Sequence, residues 1–202
     1  MKKRNLILLS LLGIAVLVIV IYGFDTAQDP VAYAELISEE RKKTERFLLY
    51  SEDSPLGDKE IEDFSGLNYF EADIAYKVRA KVEPLGGNQE VLLTTSDGQE
   101  ASYRKFGYAR FSIGDQPLQL LLLELEDDPD ELFVAFTDQT SARETYGGGR
   151  YLDVQKPSGN TITLDFNLAY NPYCAYVEGY SCPFPPAENS LSIPIRAGEK
   201  NY

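Results

Sequence analysis

The feature that most constrains this chain is the apolar run at its amino terminus. Met1-Lys2-Lys3-Arg4 is followed by Leu6 to Phe24, interrupted only by Ser10, Gly13, Tyr22 and Gly23. As a helix rising about 1.5 Å per residue, the run comes close to crossing the ~30 Å hydrocarbon core of a bilayer. Apolar residues surround that helix on every side, which argues against a helix burying one face in a globular core. The cations ahead of the run stay on the cytoplasmic side, so the rest of the chain is expected to be exported. A secretory signal has a shorter apolar core, roughly 7–15 residues, and ends in a small-x-small triplet. Tyr22-Gly23-Phe24-Asp25-Thr26-Ala27-Gln28 offers no clean triplet, and no cysteine follows for lipid attachment. Residues 1–24 are therefore read as a single-pass anchor in the inner membrane, with its N-terminus cytoplasmic and the soluble domain periplasmic or extracellular. A cleaved signal releasing a secreted protein is the alternative.

Residues 25–202 amount to one domain's worth of chain. All 32 acidic residues lie there, against 16 of the 19 basic ones, so this part carries a net charge of −16. Such a surface argues against nucleic acid and anionic lipid headgroups as partners. The chain has no histidine and no tryptophan. That removes Ser-His-Asp and Cys-His machinery and every His-ligated metal site, leaving carboxylates, tyrosines, arginines, lysines and hydroxyls for any chemistry. The two cysteines, Cys174 and Cys182, are not spaced as Cys-x-x-Cys. In an oxidising compartment they are expected to pair as a structural disulfide.

Asp29-Pro30 opens a helix with an N-cap residue and a proline in the first turn. Tyr33, Ile37, Thr44 and Leu48 fall at helical spacing, widened by Leu36 and Phe47. Glu39 to Lys43, Glu45 and Arg46 read as the solvated face, with Glu39 and Lys43 as an i,i+4 pair. A short second helix is expected over Asp58 to Phe64. The period then changes to two: Ile74, Tyr76, Val78, Ala80 and Val82 alternate with polar residues, as in a half-buried strand. Further strands are expected at Glu90–Thr95, Ala101–Ile113, Pro117–Glu126, Glu131–Phe136, Arg150–Val154, Thr161–Asn167 and Leu191–Ile195, separated by glycine-rich turns. Leu118 to Leu125 is apolar on both faces and should be central. The expected fold is mainly β: an antiparallel barrel or sandwich over residues 71–202, behind a helical segment at 25–70 and the transmembrane helix.

Polar residues crowd between Thr137 and Asn189. Tyr146-Gly147-Gly148-Gly149-Arg150 is neither a phosphate-binding loop nor a dinucleotide fingerprint. It reads either as a backbone nest for an anion beside Arg143 or Arg150, or as a tight crossing that only glycine fits. The next two strands carry apolar faces Leu152/Val154 and Ile162/Leu164/Phe166. A hairpin through Pro157–Asn160 that matches those faces puts Asp153 opposite Asp165 and Tyr151 opposite Asn167. Opposed carboxylates repel unless compensated, so that pair would hold a hard cation such as calcium, act as acid and base, or be neutralised by Arg143 or Arg150. Downstream, Pro172, Pro183, Pro185 and Pro186 exclude a central strand. They build an irregular segment from which Tyr170 and Glu188 would project into a pocket, or which covers a sheet edge.

Several stretches resemble one family. Phe136-Thr137-Asp138-Gln139-Thr140, Glu144 to Tyr151, Leu164 to Tyr176, Cys182 to Asn189 and Ile195 to Lys200 are similar to the bacterial domain of unknown function family 1684. Phe64 to Phe70 and Tyr103 to Gly107 look like the same family, so the resemblance covers roughly residues 30 to 200. It implies an exported protein and no established activity, and this chain lacks the anchor cysteine of the family's lipoprotein members.

The leading expectation is a membrane-anchored extracytoplasmic module that binds a small molecule or envelope glycan, with no cofactor unless calcium. Its pocket would use Arg143, Tyr146, Arg150, Asp153, Asp165, Asn167, Tyr170 and Glu188. The rivals are a carboxylate-dependent hydrolase acting on an envelope glycan or a similar substrate, with Asp153, Asp165 or Glu188 as acid and base, and a structural partner of another envelope protein.

Overall fold

The computed structural model describes residues 29–202, so the expected anchor over residues 1–24 lies outside the described residues. Among the described residues no helix is long and apolar enough to cross a membrane. Helix α1 (Pro30–Tyr50) begins as its sequence dictates, with the Asp29 carboxylate accepting from Val31 N at 2.9 Å and Pro30 in the first turn. Its buried stripe is narrower than expected. Tyr33, Ile37 and Leu48 are buried, whereas Thr44, Leu36 and Phe47 are exposed. The row that starts at Tyr33 and Ile37 continues through Arg41 and Glu45, which the apolar pattern could not reveal. Arg41, assigned above to the solvated face, is half-buried with its guanidinium 4.4 Å from the centre of the Tyr69 ring. It donates to Phe70 O at 2.9 Å, and Glu45 accepts from Leu67 N at 3.1 Å. Glu39 pairs with Lys42, and Lys43 with Glu40, so the i,i+4 pair gives way to two i,i+3 pairs. Helix α2 (Asp58–Asp63) follows, packed beside a satellite core of Leu48, Leu56 and Leu67.

Seven strands form one antiparallel sheet: β1 (Lys77–Pro84), β2 (Glu90–Thr94), β3 (Glu100–Ile113), β4 (Gln116–Glu124), β5 (Glu131–Phe136), β6 (Arg150–Gln155) and β7 (Thr161–Asp165). The hydrogen-bonded order is β6-β5-β4-β3-β1-β7, with β2 beside the first half of β3. Strands β6 and β7, the two ends of that path, approach one another without a shared ladder, so the sheet is a nearly closed barrel. Strand β3 is long enough to carry β2 and then β1 along one side. Between those partners it bulges at Lys105–Gly107. A Cβ at Gly107 would stand 2.6 Å from Glu83 O, so the bulge demands glycine.

The barrel buries both faces of its central strand. In β4, Leu120 to Leu123 are without solvent contact. Leu120 and Leu122 join Val134, Phe136, Leu152, Val154, Ile162 and Leu164 inside the barrel. Leu121 and Leu123 join Leu93, Phe133, Ala135 and Tyr151 on the outer face. That outer cluster needs a cover, and the proline-bearing segment after Tyr170 supplies it.

Three expected strand segments differ. Ile74–Tyr76 and Phe166–Leu168 are single 3-10 turns. Leu191–Ile195 makes no strand; the chain makes a lone bridge between Thr137 and Ser190. Its period-two pattern arises because Leu191, Ile193 and Ile195 pack against the barrel core rather than because they pair with a neighbour.

Candidate functional site

The expected β6–β7 hairpin does not form. Asp153 lies opposite Phe133 of β5, and Asp165 lies opposite Lys77 of β1. The apolar faces were assigned correctly, since Leu152, Val154, Ile162 and Leu164 all point into the barrel. What fails is the pairing: residues 156–160 carry the chain across the seam of the barrel instead of turning one strand onto the other. Asp153 and Asp165 both border a depression over that seam, but each is engaged elsewhere. Asp165 is buried and accepts from Tyr33 Oη at 2.6 Å and from Asn167 N at 3.2 Å, with Lys77 Nζ 3.8 Å away. Asn167 donates to Tyr33 Oη at 2.9 Å and Asp73 O at 2.8 Å, and accepts from Asp73 N at 2.9 Å. Burial and the adjacent Asp165 carboxylate hold the Tyr33 phenol far above its ordinary range. Asp165 and Asn167 thus pin α1 to the barrel. Among the described residues no group of three or more His, Cys, Asp or Glu side chains is placed to hold a metal ion.

Other sequence candidates also have architectural duties. Arg150 is 1% exposed and paired with the equally buried Asp138 at 2.9 Å. It donates besides to the carbonyls of Ala197, Ile195 and Glu199. Arg143 is exposed. The triple glycine is the tight crossing. Gly149 has φ +91°, and a Cβ there would meet Phe136 O at 2.7 Å. Tyr146 lies 3.8 Å from Cys174 Sγ, and burial pushes its phenol up to about 12. Glu188 sits on the outer surface near β3, accepting from Tyr108 Oη at 2.5 Å with Lys105 Nζ at 3.4 Å. The expected disulfide is not formed in this structure. Cys174 and Cys182 are free thiols held side by side, with Cys174 N–H donating to Cys182 Sγ at 3.2 Å. Burial pushes the Cys182 thiol up to about 12, so it is no reactive thiolate.

Two sequence candidates do converge, Asp153 and Tyr170. Tyr170 Oη donates to Asp153 Oδ2 at 2.7 Å. Strand alternation explains the position: with Leu152 and Val154 inward, Tyr151 and Asp153 project onto the outer face. The Tyr170 backbone bridges that of Tyr151, which fixes the covering segment at this point. Between the sheet and the segment runs a groove of about 340 Å³. Its aromatic walls are Tyr103, Phe133, Tyr151, Tyr170, Tyr173 and Tyr180; its acids are Glu131 and Asp153. Cys182 and Pro183 also line it. The crowding around Asp153 and the charge of Glu131 raise its carboxyl above the usual range, partly offset by the Tyr170 donor. Asp153, Tyr170 and Tyr173 border a second cavity of about 230 Å³ against α1, together with Arg41, Tyr69 and Asn171.

Sequence reasoning missed Tyr103, Glu131, Phe133, Tyr151, Tyr173 and Tyr180, which come from segments far apart in the chain. The outward parity of Tyr103 within β3 and of Glu131 and Phe133 within β5 was legible; the convergence was not. It also missed two buried polar residues. Glu199, without solvent contact, accepts from Asn171 N at 3.0 Å, Asn171 Nδ2 at 2.8 Å and Tyr176 Oη at 2.6 Å. Burial pushes its carboxyl up to about 7. Asn189 donates to Leu121 O at 3.0 Å and Ala135 O at 2.8 Å, and accepts from Leu121 N at 2.7 Å. It fills the opening where β4 and β5 diverge after a ladder of only Leu123↔Phe133 and Glu124↔Leu132.

Comparison with known proteins adds a fold relative and a family. A family model described as "protein of unknown function (DUF1684)" matches residues 62–200. The solution NMR structure of an uncharacterized protein of Haloarcula marismortui is 36% identical, with a TM-score of 0.66, and the match covers 82% of this chain and 92% of that one. No curated protein matches.

Proposed function

We propose a function for a chain that belongs to the DUF1684 family of proteins of unknown function: it is a ligand-binding module whose site is the outer-face groove at Asp153 and Tyr170. The observation that carries this reading is the groove itself. It is a concave aromatic surface of about 340 Å³, within the range of small-molecule sites, with a carboxylate and phenol hydrogen-bonded in its wall. The site is smaller than the sequence led one to expect. Asp153 and Tyr170 remain in it, whereas Arg150, Asp165, Asn167 and Glu188 serve the scaffold. Titration of the full chain with small molecules and glycan fragments, followed by NMR, should shift resonances of Tyr151, Tyr170 and Tyr173 first. Shifts confined to other faces would defeat the assignment.

The hydrolase reading is favoured by one observation, the raised carboxyl of Asp153 beside a second groove acid, Glu131. Two carboxyls in one groove wall, one of them shifted upward, are the parts from which a general acid and its partner are built. Turnover of a glycan abolished by Asp153→Asn with substrate affinity retained would select it over simple binding.

A location outside the cytoplasmic membrane is supported by the cations at Lys2, Lys3 and Arg4 and the apolar run behind them. In that oxidising setting the adjacent Cys174 and Cys182 would close into a disulfide. Protease added to intact spheroplasts should remove the domain; full protection would refute export.

A further inference from the structure

We propose that the groove takes an organic ammonium ion, held by Asp153 and Glu131 among tyrosine faces; this rests on reading the groove as the ligand site. The argument starts from its charge. Glu131 and Asp153 are both acids, and no lysine or arginine lines the groove among the described residues. Neither acid takes part in any of the ion pairs among those residues. Glu131 is held by the Gln155 amide at 2.6 Å, and Asp153 by the Tyr170 phenol alone. Two anions share one concave wall without a counter-charge.

The hydrogen-bonding groups of the groove are only partly committed. The Tyr170 hydroxyl is committed to Asp153, Tyr151 Oη donates to Pro183 O at 2.7 Å, and Ser181 Oγ donates to Asp97 at 2.9 Å. The phenols of Tyr103, Tyr173 and Tyr180 line the groove without a hydrogen bond to the described residues, so donors remain beside the carboxylate lone pairs, and the preference for a cation rests on the uncompensated charge and the aromatic faces. The aromatic rings supply the rest. Tyr151 and Tyr170 meet edge-to-face at 5.8 Å, and Tyr173 and Tyr180 at 5.5 Å. In each pair the ring that offers its edge keeps its own faces free of its partner, and the negative face of a ring attracts a cation. Tyr173 and Tyr180 stand 37% and 38% exposed at the rim, where a cation arriving from solvent would first meet them.

The test uses choline and its neutral carbon isostere, 3,3-dimethylbutan-1-ol, titrated into the full chain and followed by NMR. Choline should shift groove resonances and bind at least ten-fold more tightly than the isostere. Asp153→Asn should weaken choline at least ten-fold and leave the isostere unchanged, and Glu131→Gln should weaken choline several-fold, which guards against one variant simply misfolding. Equal binding of the two probes in the groove would overturn the cation while keeping the groove as a ligand site. If neither probe perturbs the groove, but a neutral glycan fragment does, the cation is likewise overturned and the site stands. Silence of the groove toward all three would overturn both.

Discussion

Glu199 has no contact with solvent, yet its carboxylate gathers the Asn171 amides and the Tyr176 hydroxyl around the end of the chain. Burial raises its pKa to about 7, whereas the unfolded chain titrates near the ordinary carboxylate value. The folded state therefore holds this proton more tightly. The stabilisation is fully present below about pH 4.5 and is lost as pH rises through about 7, on the order of 3 kcal/mol in all. Glu199→Gln should remove this contribution to the pH slope, read as the difference in urea midpoint between the two proteins from pH 4.5 to 8. Parallel midpoint curves would refute the assignment. Asp138 is a buried carboxylate with a full set of donors: Arg150 Nη2 at 2.9 Å, Thr140 N at 2.8 Å, Thr140 Oγ1 at 2.7 Å and Ile195 N at 3.0 Å. Its removal strands a buried guanidinium, which costs about 3–5 kcal/mol. Asp138→Ala should therefore lower the thermal midpoint far more than loss of an exposed, solvent-screened pair such as Arg196–Glu144.

At the scale of elements, the barrel depends on segments that are not strands. Strands β4 and β5 share only a short ladder, and the Asn189 side chain satisfies Leu121 and Ala135 beyond it. Asn189→Ala leaves buried backbone groups unpaired and should cost about 3 kcal/mol, since each such group costs roughly 1–3. Amide exchange at Leu121 should accelerate in step; unchanged exchange there would show that water replaces the side chain. The covering segment offers a second test. Oxidised glutathione should convert the neighbouring Cys174 and Cys182 thiols to a disulfide, both thiol protons and two electrons leaving to yield two molecules of glutathione. The bond closes a short loop and should stabilise by about 2.5 kcal/mol on the chain-entropy estimate. Mass spectrometry of a peptic digest that finds only mixed glutathione adducts would show that the thiols cannot meet.

At the scale of the whole molecule, the described residues form a nearly closed barrel with one core inside and one on an outer face that the segment after Tyr170 covers, beside the satellite core under the helices. The groove lined by Asp153 and Tyr170 lies on this second surface, where sheet and covering segment leave a gap. Much of this was legible in the amino-acid order. Period-two patterning located the strands from β1 to β7 and assigned inward and outward faces in β6 and β7. The all-apolar run through Leu120 to Leu123 marked the central strand, and Asp29-Pro30 marked the start of α1. These features are local: they depend on which side of a strand or helix a residue occupies, and neighbours in sequence fix that. The partner of each strand, by contrast, is set by closure of the sheet. Asp165 met Lys77 instead of Asp153, and Arg150 met Asp138 in the interior instead of a ligand. Tyr103, Phe133, Tyr151, Tyr170 and Tyr180 stand far apart along the chain and share one wall only because the barrel curls and the proline-bearing segment folds back across it. Sequence by itself determined where elements begin, which faces are apolar, and which catalytic machinery is absent for want of histidine. Tertiary structure alone decided which polar side chains are spent holding the fold and which remain free to bind, because that division depends on long-range burial and pairing.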